Sequence, residues 1–93
     1  MNNMVFVVYT ERCENGEQTF DVEGVAKSKE KARKIMEECI EYAKTNWSPY
    51  TNRDELTEND WQEKDSGEKY TLIDNVSYDF FEVRMSRPLE IER

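Results

Sequence analysis

Histidine does not occur in the 93 residues. Its absence removes the usual general base of serine and cysteine nucleophile systems. Cysteine is almost as scarce. Cys13 and Cys39 stand apart with no C-x-x-C spacing, so a zinc site would have to recruit carboxylates around two distant thiols. Two such cysteines suit a reducing compartment and free, largely buried thiols. The three glycines are isolated, which leaves no glycine-rich phosphate loop. Two prolines and three glycines also argue against a disordered chain. The apolar run "MVFVVY", residues 4 to 9, is far too short to span a membrane and lacks the flanks of a signal peptide. A cytoplasmic protein is therefore expected.

Positive charge is the other shortage. Thirteen basic side chains face 21 acidic ones, for a net charge of −8. Nucleic-acid binding needs clustered lysine and arginine, so none is expected directly. The same balance favours solubility and attracts basic partners at low salt. The apolar fraction of 37% is low for a globular domain. Aromatics, at 12% of the chain, partly compensate because each buries a large area. A chain this short holds one core, so residues 1–93 are read as a single domain.

Residues 4–14, "MVFVVYTERCE", are β-branched and aromatic, and suit a strand with both faces at least partly covered. Asn15-Gly16 is a strong hairpin signal, because both residues accept positive φ. The returning strand over 18–26 alternates Phe20 and Val22 with Asp21 and Glu23. A two-residue turn then pairs Tyr9 with Val22 and Val7 with Gly24. On that register Val5, Val7, Tyr9, Phe20 and Val22 share the core face, and Phe6, Val8 and Val25 lie on the reverse. Gly24 marks a bulge or the close approach of a helix. Ser28 caps a helix over 29–46. Ala32, Ile35, Met36, Cys39, Ile40, Ala43 and Trp47 form its apolar stripe, and Ser48-Pro49 ends it.

The stretch "RDELTENDWQEKDSGE", residues 53 to 68, is dense in carboxylates. Thr57 followed by Asp60 is a variant capping box, with Leu56 and Trp61 placed as a staple. Glu58 and Asp60 suit the first turn of a short helix over 58–64. Glu55, Glu63, Asp65 and Glu68 are left unexplained by capping. Strands follow over 69–75 and 78–85, with a tail over 86–93 that Pro88 keeps out of any central strand. The expected fold is α+β, in the order β-β-α-short α-β-β. About four antiparallel strands would carry one long amphipathic helix on one face.

Catalytic chemistry finds little support. The acidic stretch does not match a calcium-binding loop, since its sixth position lacks glycine. No sequence signal isolates two carboxylates as a glycosidase pair. Neither an enzyme, nor a cofactor, nor a metal site is expected. Charge distribution says more. Lys27, Lys29, Lys31, Arg33 and Lys34 surround a single acid, Glu30, a local balance of +4 that leaves −12 for the rest of the chain. A solvated, salt-bridged helix face, with Glu30 and Lys34 as one pair, accounts for this in structural terms. The functional alternative is an acidic pole built from Glu37, Glu38 and Glu41 on the helix and Asp54, Glu55, Glu58, Asp60, Glu63 and Asp65 after it, with Asp21 and Glu23 on the sheet. Carboxylates spaced like phosphates can occupy the basic channel of a nucleic-acid-handling protein. A second hypothesis is a homodimer joined through the sheet, with Phe6, Val8 and Val25 at the contact.

The pattern "VFVVYT", "NGE" and "VEGVAKSKEKARK" resembles small proteins of bacteria, phages and mobile elements. Size and acidity are also similar to the anti-CRISPR class of phage proteins. That resemblance implies a non-enzymatic inhibitor in a bacterial cell, acting by occupation of a partner's site, with a defence nuclease as one such partner. It transfers no functional residues.

Overall fold

The computed structural model describes residues 4–46, 61–75 and 77–90. Its elements are β1 (Met4–Glu14), β2 (Glu17–Ala26), α1 (Lys29–Asn46), β3 (Trp61–Asp65), β4 (Lys69–Asp74), β5 (Phe80–Met85) and β6 (Leu89–Glu90). One antiparallel sheet runs in the order β2-β1-β5-β4-β3, with β6 paired to the start of β1. The architecture is α+β, with six strands where about four were expected. The two additional strands are β3 and β6. The tail expected over 86–93 instead continues along β1 past Pro88 and pairs Leu89 with Val5.

Asn15 and Gly16 adopt φ of 53° and 82°, the left-handed pair that a tight hairpin turn needs. From Glu14–Glu17 to Tyr9–Val22 the ladder keeps the register expected of that turn. It then slips, so that Val8 faces Gly24 and Val7 faces Val25. Glu23 is the extra residue of a bulge. Beyond the bulge, Gly24 lies directly beneath α1, where an added Cβ would stand 3.0 Å from Ile35 Cδ1. Gly24 therefore serves as both bulge and point of helix approach.

Ser28 caps α1 through its hydroxyl, which accepts from the Lys31 amide at 3.2 Å. Ala32, Met36, Ile40 and Ala43 are buried, with Ile35 and Cys39 packed beside them. Opposite stand Val8, Ala26, Tyr70, Leu72, Phe81, Val83 and Met85. The core face of the sheet is thus the reverse of the one expected. Val8 is 0% exposed and Phe6 packs against the same cluster. Val5, Val7, Tyr9, Phe20 and Val22 point away from the helix. The cause lies in β1, whose apolar run offers two usable faces and so cannot choose between them. The helix docks where β2 presents Gly24 and Ala26, small enough to let its backbone approach.

A second correction concerns 61–65. A short helix was expected over 58–64, but Trp61–Asp65 is a strand paired residue by residue with Asp74–Tyr70. A seven-residue helix is marginal by itself. A five-residue ladder, closed by Gly67 at φ 93° and the Ser66 amide donating to Lys69 O at 2.9 Å, satisfies more backbone groups. The capping pattern at Thr57 and Asp60, like Leu56 and Trp47, lies outside the described residues. Trp61 packs on the helix side of the core, the face of Phe6 and Val8.

The face assignment has a direct consequence for stability. Leu72→Ala should cost about 2–5 kcal/mol in urea unfolding, the usual cost of truncating a packed aliphatic core residue. Val22→Thr, on the open face, should change stability by less than about 0.5 kcal/mol. Equal losses at the two sites would contradict the placement of the helix.

Candidate protein-binding surfaces

Helical geometry splits the three acids of α1. Glu37 and Glu41 flank the side of the helix that faces β3, while Glu38 flanks the side that faces β2. Each side borders a groove of different character.

On the β3 side, Arg33, Glu37, Ile40, Glu41, Lys44, Glu63, Asp65 and Tyr70 converge. Here the acids are mostly spoken for. The Arg33 guanidinium donates from two nitrogens to the Asp65 carboxylate, at 3.0 and 2.6 Å, and also to Gly67 O at 3.0 Å. It lies 3.6 Å from Glu37 as well, an i,i+4 pair that takes the place of the expected Glu30–Lys34 pair. Glu63 accepts a hydrogen bond from the Tyr70 hydroxyl and stands 3.8 Å from Lys44 Nζ. Lys29, in the first turn of α1, pairs with Glu68. Three carboxylates that capping left unexplained, Glu63, Asp65 and Glu68, are thus the clamps that fasten the β3–β4 hairpin to the helix. The basic start of α1 is their counterpart.

On the β2 side, a groove of about 370 Å³ runs between the helix and the β1–β2 hairpin. Phe81, Ile35 and Cys39 form its apolar floor, with Glu23, Glu38 and Tyr42 at the rim and Arg12 at one end. Arg12 also borders the neighbouring hollows that reach Glu14, Glu17 and Asn46. Asp21 pairs with Thr10 in the ladder and so shares this face. Thr10, buried, donates its hydroxyl to Glu23 at 2.9 Å. Among the described residues no ion pair engages Glu14, Glu17, Asp21, Glu23 or Glu38. Cys39 reports the local environment: burial first, then the charges of Glu23 and Glu38, push its thiol up to about 11. Such a thiol is a poor nucleophile at neutral pH.

The outer face of the sheet carries no helix among the described residues. Phe20, Val22 and Val25 are 60%, 62% and 58% exposed there, and Leu89 is 47% exposed. Val5, Val7 and Tyr9 continue this patch. The Tyr9 and Phe20 rings stand 5.3 Å apart, and the Arg84 guanidinium lies 5.6 Å from the Tyr9 centroid. Glu82, nearly buried, accepts from Arg84 Nε at 3.1 Å, from Lys69 at 3.2 Å and from Thr71. Burial raises the Glu82 carboxyl, but its bonds from Arg84 and Lys69 outweigh that and hold it below its ordinary value. Cys13 belongs to this face and Cys39 to the other, so the sheet separates the two free thiols.

Of the residues singled out from sequence, the structure brings Glu37, Glu41, Glu63 and Asp65 together beside Arg33 and Lys44, and separates Glu38 from them. Asp54, Glu55, Glu58 and Asp60 lie outside the described residues. Phe6 and Val8 sit under the helix, which leaves Val25 alone of that trio on the open face. Phe20 and Val22 were expected in the core because β1 offers two apolar faces, while Val25 changes face through the register slip at Glu23, which has no counterpart in composition. Comparison with family models, with curated proteins and with solved structures returned no match. No helix among the described residues is long and apolar enough to cross a membrane.

The Arg33–Asp65 clamp makes stability depend on pH. The hydrogen bond from Arg33 holds the Asp65 carboxyl below its ordinary 3.8, against a smaller upward push from burial. A depressed folded-state value contributes stability above the unfolded value and loses it as pH falls through the folded one. The contribution should be intact at neutral pH and fade as pH drops below 3.8. Asp65→Asn should cost no more than about 1 kcal/mol at neutral pH, because solvent screens this partly exposed pair. It should also flatten part of the acid loss seen in urea unfolding. An unchanged acid profile in that variant would remove the clamp from the account.

Proposed function

We propose that this chain is a non-enzymatic binding protein of inhibitory kind, which docks a basic partner against the groove between α1 and the β1–β2 hairpin. The observation that carries the reading is the division of the carboxylates. Glu37, Glu63, Asp65 and Glu68 are engaged by Arg33, Lys44 and Lys29. Among the described residues no ion pair engages Glu23 and Glu38, which line the β2-side groove, Glu14 and Glu17, which border the hollows beside it, or Asp21 on the same face. Carboxylates with no internal cation keep their charge for a partner and can steer its approach over several ångströms. The apolar floor beneath them can take the aliphatic stem of a lysine or arginine whose cationic head meets the rim.

A basic, nucleic-acid-handling protein fits this chemistry, because its channel is built to hold evenly spaced phosphates. A nuclease of a bacterial defence system is one such partner, and the bacterial cytoplasm the corresponding compartment. On this reading Glu63 and Asp65 act within the fold, and the docking residues are those of the β2 side.

Capture from bacterial lysate by the tagged chain should recover one basic protein at about 50 mM salt and release it at about 500 mM, where the Debye length shrinks to about 4 Å and steering is screened. The purified pair should bind at least about tenfold more weakly when Glu17, Asp21 and Glu38 are each changed to Lys. Unchanged affinity in that variant, with the fold intact by circular dichroism, would refute the acidic groove as the docking site.

A further inference from the structure

We infer that the open face of the sheet is a self-association surface, at which a second copy of this chain packs face to face through Phe20, Val22, Val25 and Leu89. Three observations point to a second copy. The four side chains, with the half-buried Val5, Val7 and Tyr9, form one continuous apolar patch across β2, β1 and β6. At their exposures the four offer on the order of 400 Å², the size at which an exposed patch marks an interaction site. That is about half of the ~800 Å² each partner gives to a standard interface. The adjoining strip of β5 and β4 supplies Glu82, Arg84, Lys69 and Thr71 as a polar rim, with Phe80 and Ile73 at its far end.

Charge decides who the occupant is. Two copies each carrying −8 repel in most orientations. The open face is the exception. Beside the patch the same face carries Glu11 and Glu82 against Arg84, Lys69 and Lys64, and Glu82 is paired with both Arg84 and Lys69, so the face is not acidic. Its central cation, Arg84, lies over the Tyr9 ring and is bonded to Glu82. A basic partner would find little to attract it here, and an acidic one would meet repulsion from the rest of the chain. A second copy meets an apolar patch with an apolar patch, related by a two-fold axis, as isologous contacts require. The product is a four-layer helix–sheet–sheet–helix sandwich, with the two inner faces about 10 Å apart. Both acidic grooves then face outward, so the dimer would present them bivalently to a partner. The self-association itself stands apart from the acidic-groove reading, since it uses the opposite face.

Sedimentation equilibrium on the full chain, from about 5 to about 500 μM, tests this. Mass should rise toward twice the 11.1 kDa of one chain. Raising salt from about 50 to about 500 mM should strengthen association, because screening relieves the repulsion between acidic copies. This is opposite in sign to docking of a basic partner. Val22→Lys and Phe20→Lys should each weaken the dimer at least tenfold while keeping the circular dichroism of the parent. If either fails to fold, Val25→Lys on the same patch carries the comparison. Glu38→Gln, on the far face, should leave the dimer unchanged. A monomeric mass at every concentration and salt, association that weakens with salt, or a dimer indifferent to the lysine substitutions would each overturn the inference.

Discussion

One helix of 18 residues lies against a sheet that has two faces, and the rest of the molecule answers to that limit. Only one face can be closed by α1, and the approach is permitted by Gly24, where nothing larger than hydrogen fits without displacing Ile35. Around that contact Val8, Met36, Leu72 and Val83 are excluded from water almost completely. Each such side chain stabilises the fold by roughly 1.5–3 kcal/mol relative to exposure. What the helix cannot reach is left to solvent or to another molecule.

The same limit organises charge. The hairpin at the sheet's edge, β3–β4, gives Tyr70, Leu72 and Trp61 to the core and is further fastened to α1 by ion pairs. Arg33 is the main clamp, joined by Lys29 and Lys44. Exposed pairs of this kind contribute little singly, but they set the position of an edge strand and consume acids that would otherwise project into solvent. At the opposite edge the β1–β2 hairpin needs no such help, because its turn and ladder are specified by Asn15-Gly16. Its carboxylates form no ion pair among the described residues, and the asymmetry in charge between the two sides of α1 follows.

Much of this was legible in the residues. Asn15-Gly16, the i, i+3, i+4 stripe of α1 and the Ser28 cap each carry a local physical cause, and those elements stand where the sequence places them. Two things were not legible. The choice of core face rests on a one-residue slip at Glu23 and on the small side chains of Gly24 and Ala26, which act through packing with a helix distant in sequence. Strand β3 competes with a helix that its capping residues favour locally, and wins through backbone pairing with β4 that no local signal reports. The acid-rich stretch was correspondingly misread in part. Density of carboxylates says nothing about which of them have a cation within reach, and Glu63 and Asp65 find theirs on α1.

The central claim is that the helix covers the Val8 face and leaves the Val22 face open until a partner covers it. Methyl-resolved NMR with a soluble gadolinium chelate reads this side chain by side chain. In dilute solution the methyl groups of Val22, Val25 and Leu89 should broaden strongly, while those of Val8, Leu72 and Val83 should be nearly unaffected. Shielded Val22 together with accessible Val8 in the dilute sample would contradict the account, because it would put the helix on the other face.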